Sequence, residues 1–267
     1  GDLERDLSRS NEIRQYPKLA ITNASLAHSP KKAPLTIAWC SSDLAYHPVC
    51  RFIYSIFAHS VDLKHRHIIV DTYDHKGETK RGLFERLEHL SVVNPRGQTE
   101  SEKIAEIQAL NADVAVDLSG WTGSHFQAGF LSRIAPVQVN YLGYFASVGL
   151  SSSDYWLGDC NLFPEPMKEW HTEQLYRLPR CFIAWQPADP LPEAKLDVVD
   201  AASLRGGIRF GSFNANRKMS DSLLATWAHL LSEVKDASLV LKASNKDDTR
   251  TMELLRRRMV RQGLDPE

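Results

Sequence analysis

The sequence lacks a long apolar run and has almost no excess charge. No stretch approaches the roughly 18 consecutive apolar residues of a membrane-spanning helix, and no signal-peptide pattern opens the chain. Basic residues number 32 and acidic residues 33, and they are interspersed except at residues 256–258. Neither a nucleic-acid partner nor a membrane surface is therefore indicated.

Short motifs that mark common metal and nucleotide sites are also missing. The four cysteines have no CxxC spacing, which indicates free thiols in a reducing compartment and predicts a cytoplasmic location. His65, His67, His75 and His89 lack the spacing of metal ligands, so no metal site is expected. The absence of GxGxxG and GxxxxGK[ST] argues against dinucleotide oxidoreductases and P-loop NTPases.

The clearest pattern that is present covers residues 113–149. A short apolar run at 114–118 predicts a buried strand, and a loop of small and polar residues follows at 119–124. A helical segment then ends at Pro136, and a second strand with alternating apolar residues leads into the loop at 142–149. Strand, loop, helix and strand form the unit of a parallel α/β sheet, in which ligands bind beyond the carboxyl ends of the strands.

Similar units on either side predict an α/β fold with two Rossmann-like domains. Prolines between residues 164 and 207 rule out long helices there and indicate a connection between domains. Four parts are predicted: a lead-in segment (1–34), a first domain (35–178), a connection (179–207) and the start of a second domain (208–267). In the second domain the patterns predict strands at 208–213 and 238–242, and helices at 222–234 and 249–262 closed by Gly263.

Three polar residues stand where predicted strands end. His47 lies in a strand-to-helix turn, where an imidazole could take a hydroxyl proton or simply cap the helix. Lys218 precedes a helix that Ser220 could cap, and its ammonium could reach an anion at that helix or remain solvated. Asp117 is expected to bond backbone N–H groups of the next loop rather than to act as a catalytic acid.

A resemblance to a known family rests on four pieces in order. They are S-S-D-L-x-x-H-P (41–48), G-x-T-G…R-x-A-P-V-Q-V-x-Y-L-G-Y…G…D-Y (120–155), Y-R-L-P (176–179) and F-G-S-F-N-x-x-x-K (210–218). Together they look like the signature of the SPINDLY-type protein O-linked N-acetylglucosamine transferases, glycosyltransferase family 41. The resemblance implies a GT-B fold of two facing Rossmann-like domains, of which the second would be truncated in this chain.

The resemblance also implies an activity and a set of site residues. The activity is inverting transfer of N-acetylglucosamine from UDP-N-acetylglucosamine to Ser or Thr hydroxyls of a protein, in the cleft between the domains. His47 would line the active site and orient or deprotonate the acceptor hydroxyl. Lys218 would hold the donor diphosphate, so that no metal cofactor is required. Gly143 and Tyr144 would lie against the donor sugar and Asn214 would also contact the donor. Thr122 and Arg133 are secondary candidates for acceptor or sugar contacts, and Arg133 could instead anchor the end of a helix.

One departure from the family pattern keeps alternatives open. The family follows L-G-Y with Pro-Gly-Thr-Thr/Ser-Gly, whereas this chain has Phe145, Ala146, Ser147, Val148 and Gly149. A different donor such as GDP-fucose is one alternative. A non-catalytic binding or scaffold module of the same fold is another. The chain alone is expected to show little turnover, and helical repeats are a feature that a full-length protein could add.

Overall fold

The computed structural model describes residues 34–44, 47–60, 64–73, 82–97, 99–187, 189–190, 207–242 and 248–266. The predicted lead-in segment lies almost entirely outside them. The chain divides into two compact units, Gly1–Leu191 and Pro192–Glu267. The boundary lies within the stretch 179–207 that the prolines single out as a connection.

The first unit is a three-layer α/β domain. Its strands are β1 (Thr36–Ser41), β2 (Arg66–Asp71), β3 (Ser91–Val93), β4 (Val114–Asp117), β5 (Val137–Tyr141), β6 (Tyr155–Gly158) and β7 (Gln174–Arg177). Its helices are α1 (Pro48–Ala58), α2 (Glu100–Gln108) and α3 (Gln127–Leu131), together with a 3-10 helix at Gly82–Arg86. The predicted strands and helices are confirmed within a few residues, but β3 and β7 were not predicted.

All seven strands of this sheet are parallel, in the order β3-β2-β1-β4-β5-β6-β7. Strand β1 is buried because both faces of the sheet are covered, which explains its nearly continuous apolar sequence. Ala38 and Cys40 pack in the cluster that contains α2 and α3 residues, and Trp39 packs in the opposite cluster with α1. The alternation of side chains along one strand thus supplies both halves of the core.

Two helices of this unit begin with well-defined caps. Thr99 and Glu102 form a capping box at α2, in which each side chain accepts from the other's backbone N–H. Helix α1 starts with Pro48, whose missing N–H costs nothing at this position, and its N-cap residue is His47. The cap therefore defines the backbone conformation of His47, the residue that the family resemblance predicts in the active site.

The described part of the second unit contains a parallel pair of strands and two helices. They are β8 (Arg209–Ser212), α4 (Asp221–Glu233), β9 (Ser238–Leu241) and α5 (Thr249–Arg261), with a 3-10 turn at Asn216–Lys218. Gly263 ends α5 at a φ of 84°, and its N–H and that of Leu264 bond the carbonyls of Val260 and Met259. This Schellman motif confirms the predicted C-cap.

Candidate functional site

The strand order of the first unit reverses between β1 and β4. From β1 the chain proceeds outward to β2 and β3, and it returns to β4 on the other side of β1. In open α/β sheets, ligands bind where the order reverses in this way. We call this side of the sheet, where all strands end, the carboxyl edge.

His47 lies at this edge, directly after β1. Its Nδ1 accepts a long hydrogen bond of 3.4 Å from the backbone N–H of Val49 and lies 3.8 Å from the carboxylate of Asp43. About half of the side chain, 49%, is exposed. His47 therefore caps α1, as one of the two interpretations predicted. The contacts of its ring are long, which leaves the imidazole accessible to a hydroxyl group.

The loop after β4 also lies at the carboxyl edge. Asp117 Oδ1 accepts from the backbone N–H groups of Ser119 (2.9 Å) and Gly120 (3.0 Å), as predicted, and its Oδ2 accepts from the Gln127 amide (2.5 Å). Burial raises the pKa of Asp117, although these donors oppose the shift. Thr122 also belongs to this loop and donates to the Ser119 carbonyl at 2.6 Å. Its hydroxyl proton is therefore engaged, which leaves only its oxygen as an acceptor.

Gly143 and Tyr144 lie in the loop after β5, residues 142–149, which we call the L-G-Y loop. A Cβ on Gly143 would collide with the carbonyl oxygen of Leu118, at the end of β4. A Cβ on Gly120 would collide with the ring of Tyr144, and Gly120 has a φ of 53°, which favours glycine. Glycines on both loops thus let the L-G-Y loop pack directly against the loop after β4.

Phe145, the residue that departs from the family pattern, is 57% exposed. Its ring packs edge to face against Phe182 with centroids 5.8 Å apart. Phe182 is itself fixed, because its N–H donates to Asp159 (3.0 Å) and its carbonyl accepts from the Tyr141 hydroxyl (2.6 Å). Phe145 therefore presents an exposed ring at the carboxyl edge, next to Tyr144, and its contact with Phe182 holds that ring in place.

Arg133 does not belong to this group, which corrects its assignment as an acceptor or sugar contact. It follows α3 and precedes β5, and so lies at the opposite edge of the sheet. Its guanidinium forms two hydrogen bonds with Asp154 (2.8 and 3.0 Å) and one with the Pro136 carbonyl (3.0 Å). This bidentate pair also draws in the backbone of Gln138, which donates to Asp154, so the role of Arg133 is to hold the start of β5.

The remaining candidates belong to the second unit. Asn214 and Lys218 are exposed and lie in the segment between β8 and α4, and Lys218 ends the 3-10 turn. Ser220 caps α4 as expected, accepting from the Leu223 N–H at 3.2 Å. Arg258 of α5 donates to the Met219 carbonyl (2.5 Å) and to Asp221 (2.7 Å). The segment that carries Lys218 is thereby tied to both helices of its own unit.

The first unit thus brings His47, Thr122, Gly143 and Tyr144 to one edge of its sheet, while Asn214 and Lys218 occupy one loop of the second unit. Sequence reasoning missed Phe182, which packs against Phe145 at this edge. It also missed Glu173, which precedes β7 and bonds Ser147 and Val148 of the L-G-Y loop. Neither residue belongs to a recognisable motif. Their partners in the L-G-Y loop, Phe145, Ser147 and Val148, are far away in the chain.

The described ranges contain neither a cluster of metal ligands nor a membrane-spanning helix. Within them, no group of three or more His, Cys, Asp or Glu residues could hold a metal ion. None of the helices there is both long and apolar enough to cross a membrane. All four cysteines are free, with Cys40 and Cys50 buried and Cys160 and Cys181 exposed.

Comparisons with known proteins agree with the motifs. The chain is 32% identical over 212 residues to the "Probable UDP-N-acetylglucosamine--peptide N-acetylglucosaminyltransferase SPINDLY" of Arabidopsis thaliana, covering 78% of this chain and 23% of that protein. It is 26% identical over 216 residues to the similarly named protein SEC of the same plant, covering 78% of this chain and 22% of that protein. The chain therefore spans less than a quarter of the length of these relatives.

A solved structure shows the same fold. A lysine-to-methionine variant of the O-GlcNAc transferase of Thermobaculum terrenum matches with a TM-score of 0.75 and 26% identity, covering 97% of this chain and 48% of that one. The expected α/β fold of GT-B type is thereby confirmed. The sequence model of Glycosyl transferase family 41 matches residues 18–262. The chain belongs to glycosyl transferase family 41.

Proposed function

We propose that this chain is part of an inverting glycosyltransferase that moves N-acetylglucosamine from UDP-N-acetylglucosamine to Ser or Thr hydroxyls of a protein. The observation that carries the proposal is the family-41 motif set placed on the structure: the histidine of S-S-D-L-x-x-H-P and the glycine and tyrosine of L-G-Y share the carboxyl edge of one sheet. The relatives named above, a probable peptide N-acetylglucosaminyltransferase and an O-GlcNAc transferase, support this assignment.

In the proposed reaction, His47 accepts the proton of the acceptor hydroxyl as that oxygen attacks the anomeric carbon. Its position supports this role, because the polar contacts of its ring within the described residues are at 3.4 and 3.8 Å and half of the side chain is exposed. A positioned base of this type contributes about 10²–10⁴-fold to a rate. Gly143 and Tyr144 provide the surface against which the donor sugar lies.

Lys218 is proposed to stabilise the leaving UDP. The diphosphate gains negative charge as its bond to the sugar breaks, and a fixed ammonium offsets that charge without a metal ion. Lys218 stands just before the N-terminus of α4, whose N–H groups and dipole also favour an anion. Asn214, four residues earlier in the same exposed segment, is proposed as a further donor contact.

One observation favours a second candidate, a non-catalytic binding module. The supported Phe145 ring replaces the proline of the family loop and presents bulk where backbone would approach a sugar. The same feature would suit a change of donor, such as GDP-fucose.

An assay with two radiolabelled donors, UDP-N-acetylglucosamine and GDP-fucose, distinguishes the three possibilities. Each donor is incubated with protein extract and with either the complete gene product or the 267-residue chain. Release of UDP with label on Ser or Thr residues supports the proposal. Release of GDP alone identifies the fucose alternative, and failure of both donors to bind or react favours the binding module.

A further inference from the structure

Glu173 is a buried carboxylate that fastens the L-G-Y loop from a distant part of the chain. The residue precedes β7 and is 2% exposed. Its carboxylate accepts hydrogen bonds from the Ser147 hydroxyl (2.5 Å) and the Val148 backbone N–H (2.8 Å). The N–H and hydroxyl of Thr172 complete the set, each at 3.2 Å. Two of the four donors thus come from the L-G-Y loop.

Burial makes these hydrogen bonds energetically important for the Glu173 carboxylate. Within the described part of the chain, no lysine or arginine forms an ion pair with Glu173, so hydrogen bonds alone compensate for its burial. Hydrogen bonds to an ionised acceptor are roughly twice as strong as neutral ones, and a buried charge deprived of them is costly. If the loop moved away, the Glu173 carboxylate would either become exposed to water or remain buried without two of its hydrogen bonds.

Two further contacts fix the same half of the loop. The Trp121 indole donates to the Val148 carbonyl at 2.8 Å, and the Asn140 amide donates to the Ala146 carbonyl at 3.1 Å. The segment from Gly143 to Phe145 is consequently held between β5 on one side and this anchored half on the other. Within this segment, Gly143 packs against the Leu118 carbonyl.

We propose that Glu173 is a positioning residue for the donor sugar: it acts through Ser147 and Val148 to hold Gly143 and Tyr144 in the conformation that binds the donor. The proposal rests on the proposed function, since it assigns a role within the same site. The two donors that the loop supplies, the Ser147 hydroxyl and the Val148 N–H, tie its second half to the start of β7.

The test uses Glu173→Ala and Glu173→Gln, with Asp113→Asn as a matched control. Gln keeps one acceptor oxygen for Val148. Asp113 is another mostly buried carboxylate, 9% exposed, which accepts from the Thr36 N–H at 2.8 Å beside the start of β4, away from the loop. Amide hydrogen exchange is followed across 142–149 in the 267-residue chain. Donor KM and kcat are measured in the complete gene product.

The expected result is exchange at 147–149 faster by about tenfold or more in Glu173→Ala, with a smaller change in Glu173→Gln and none in Asp113→Asn. Donor KM should rise by about tenfold with kcat within about threefold, because donor binding must now reorder the loop. Unchanged exchange in Glu173→Gln and Glu173→Ala overturns the proposal, and so does an equal rise in KM in Asp113→Asn. If Glu173→Ala does not fold, the Glu173→Gln result decides. A gene product that turns over no donor refutes the proposed function instead, and the exchange result still decides whether Glu173 positions the loop.

Discussion

The hydroxyl oxygens of Ser41 and Ser119 lie 2.8 Å apart, which joins the loops that leave β1 and β4. Both residues are almost fully buried, and the Ser41 oxygen also accepts from the backbone N–H of Asp43. The bond therefore links the loop that leads to His47 with the loop that carries Gly120 and Thr122. The two loops at the strand-order reversal are therefore joined to each other rather than independent turns.

Gly143→Ala should destabilise the first unit and impair donor binding. The added methyl group would meet the Leu118 carbonyl oxygen, so the backbone of the L-G-Y loop must shift. Overpacking of this kind costs about 1–3 kcal/mol. Urea unfolding measures the loss. Gly211→Ala is the control, because the nearest atom to its Cβ would be Phe213 at 3.8 Å. Equal stability of wild type and Gly143→Ala would contradict the close packing.

Arg133→Met tests the corrected role of that residue. Loss of a partly buried bidentate ion pair should lower the free energy of unfolding by about 1–3 kcal/mol, because Asp154 is left without its partner. Donor KM in the complete gene product should stay within about twofold of wild type. A raised donor KM at unchanged stability would restore the sugar-contact interpretation.

Much of the first unit could be predicted because its signals are local. The apolar runs of β1, β4 and β5 and the stop at Pro136 need no tertiary information, and the position of Asp117 at a strand end indicated its backbone contacts. Strand β7 was missed because its residues are mostly exposed and flanked by proline-rich sequence. Glu173 could not be found, since its partners Ser147 and Val148 are 26 and 25 residues away in the chain.

Arg133 shows a further limit of motif reasoning. A residue inside a family signature was assigned to the substrate, yet its position after α3 sends it to the opposite edge of the sheet. The pattern of letters does not reveal at which edge a side chain lies. Strand order and direction supply that information, and these depend on pairings between distant segments.

Phe145→Ala should change donor selectivity more than stability. Its ring is exposed and contacts Phe182, so truncation removes surface from the L-G-Y loop without opening the core. The ratio of kcat/KM for UDP-N-acetylglucosamine to that for UDP-glucose should change by about tenfold or more, the scale of a single pocket contact. Tyr176→Ala, which truncates an exposed aromatic residue of β7, serves as the control. An unchanged ratio would remove Phe145 from the sugar site.

Stability should fall in mild acid because of His67. Burial, and then the nearby His65 and His89, lower the pKa of this imidazole below its ordinary 6.5, and its Nδ1 accepts from Trp39 Nε1 at 3.1 Å. The unfolded chain therefore binds more protons, and the free energy of unfolding drops as pH falls through 6.5 towards the lowered value.

Urea unfolding between about pH 8 and pH 5 measures this dependence. His67→Gln keeps an acceptor for Trp39 but does not titrate, so its stability should fall less steeply with pH. Parallel curves for the two proteins would show that another group is responsible.

The proposed reaction uses His47 as the base and Lys218 to stabilise the leaving UDP, and the rate of UDP release by the complete gene product tests these two roles most directly. His47→Ala and Lys218→Ala should each lower kcat by about a hundredfold or more, and the double variant should be little slower than the slower single variant, because residues that act as a unit are not additive. His59→Ala, at the far end of α1, should be active. Single variants that keep the wild-type rate would contradict the account, as would losses that multiply in the double variant.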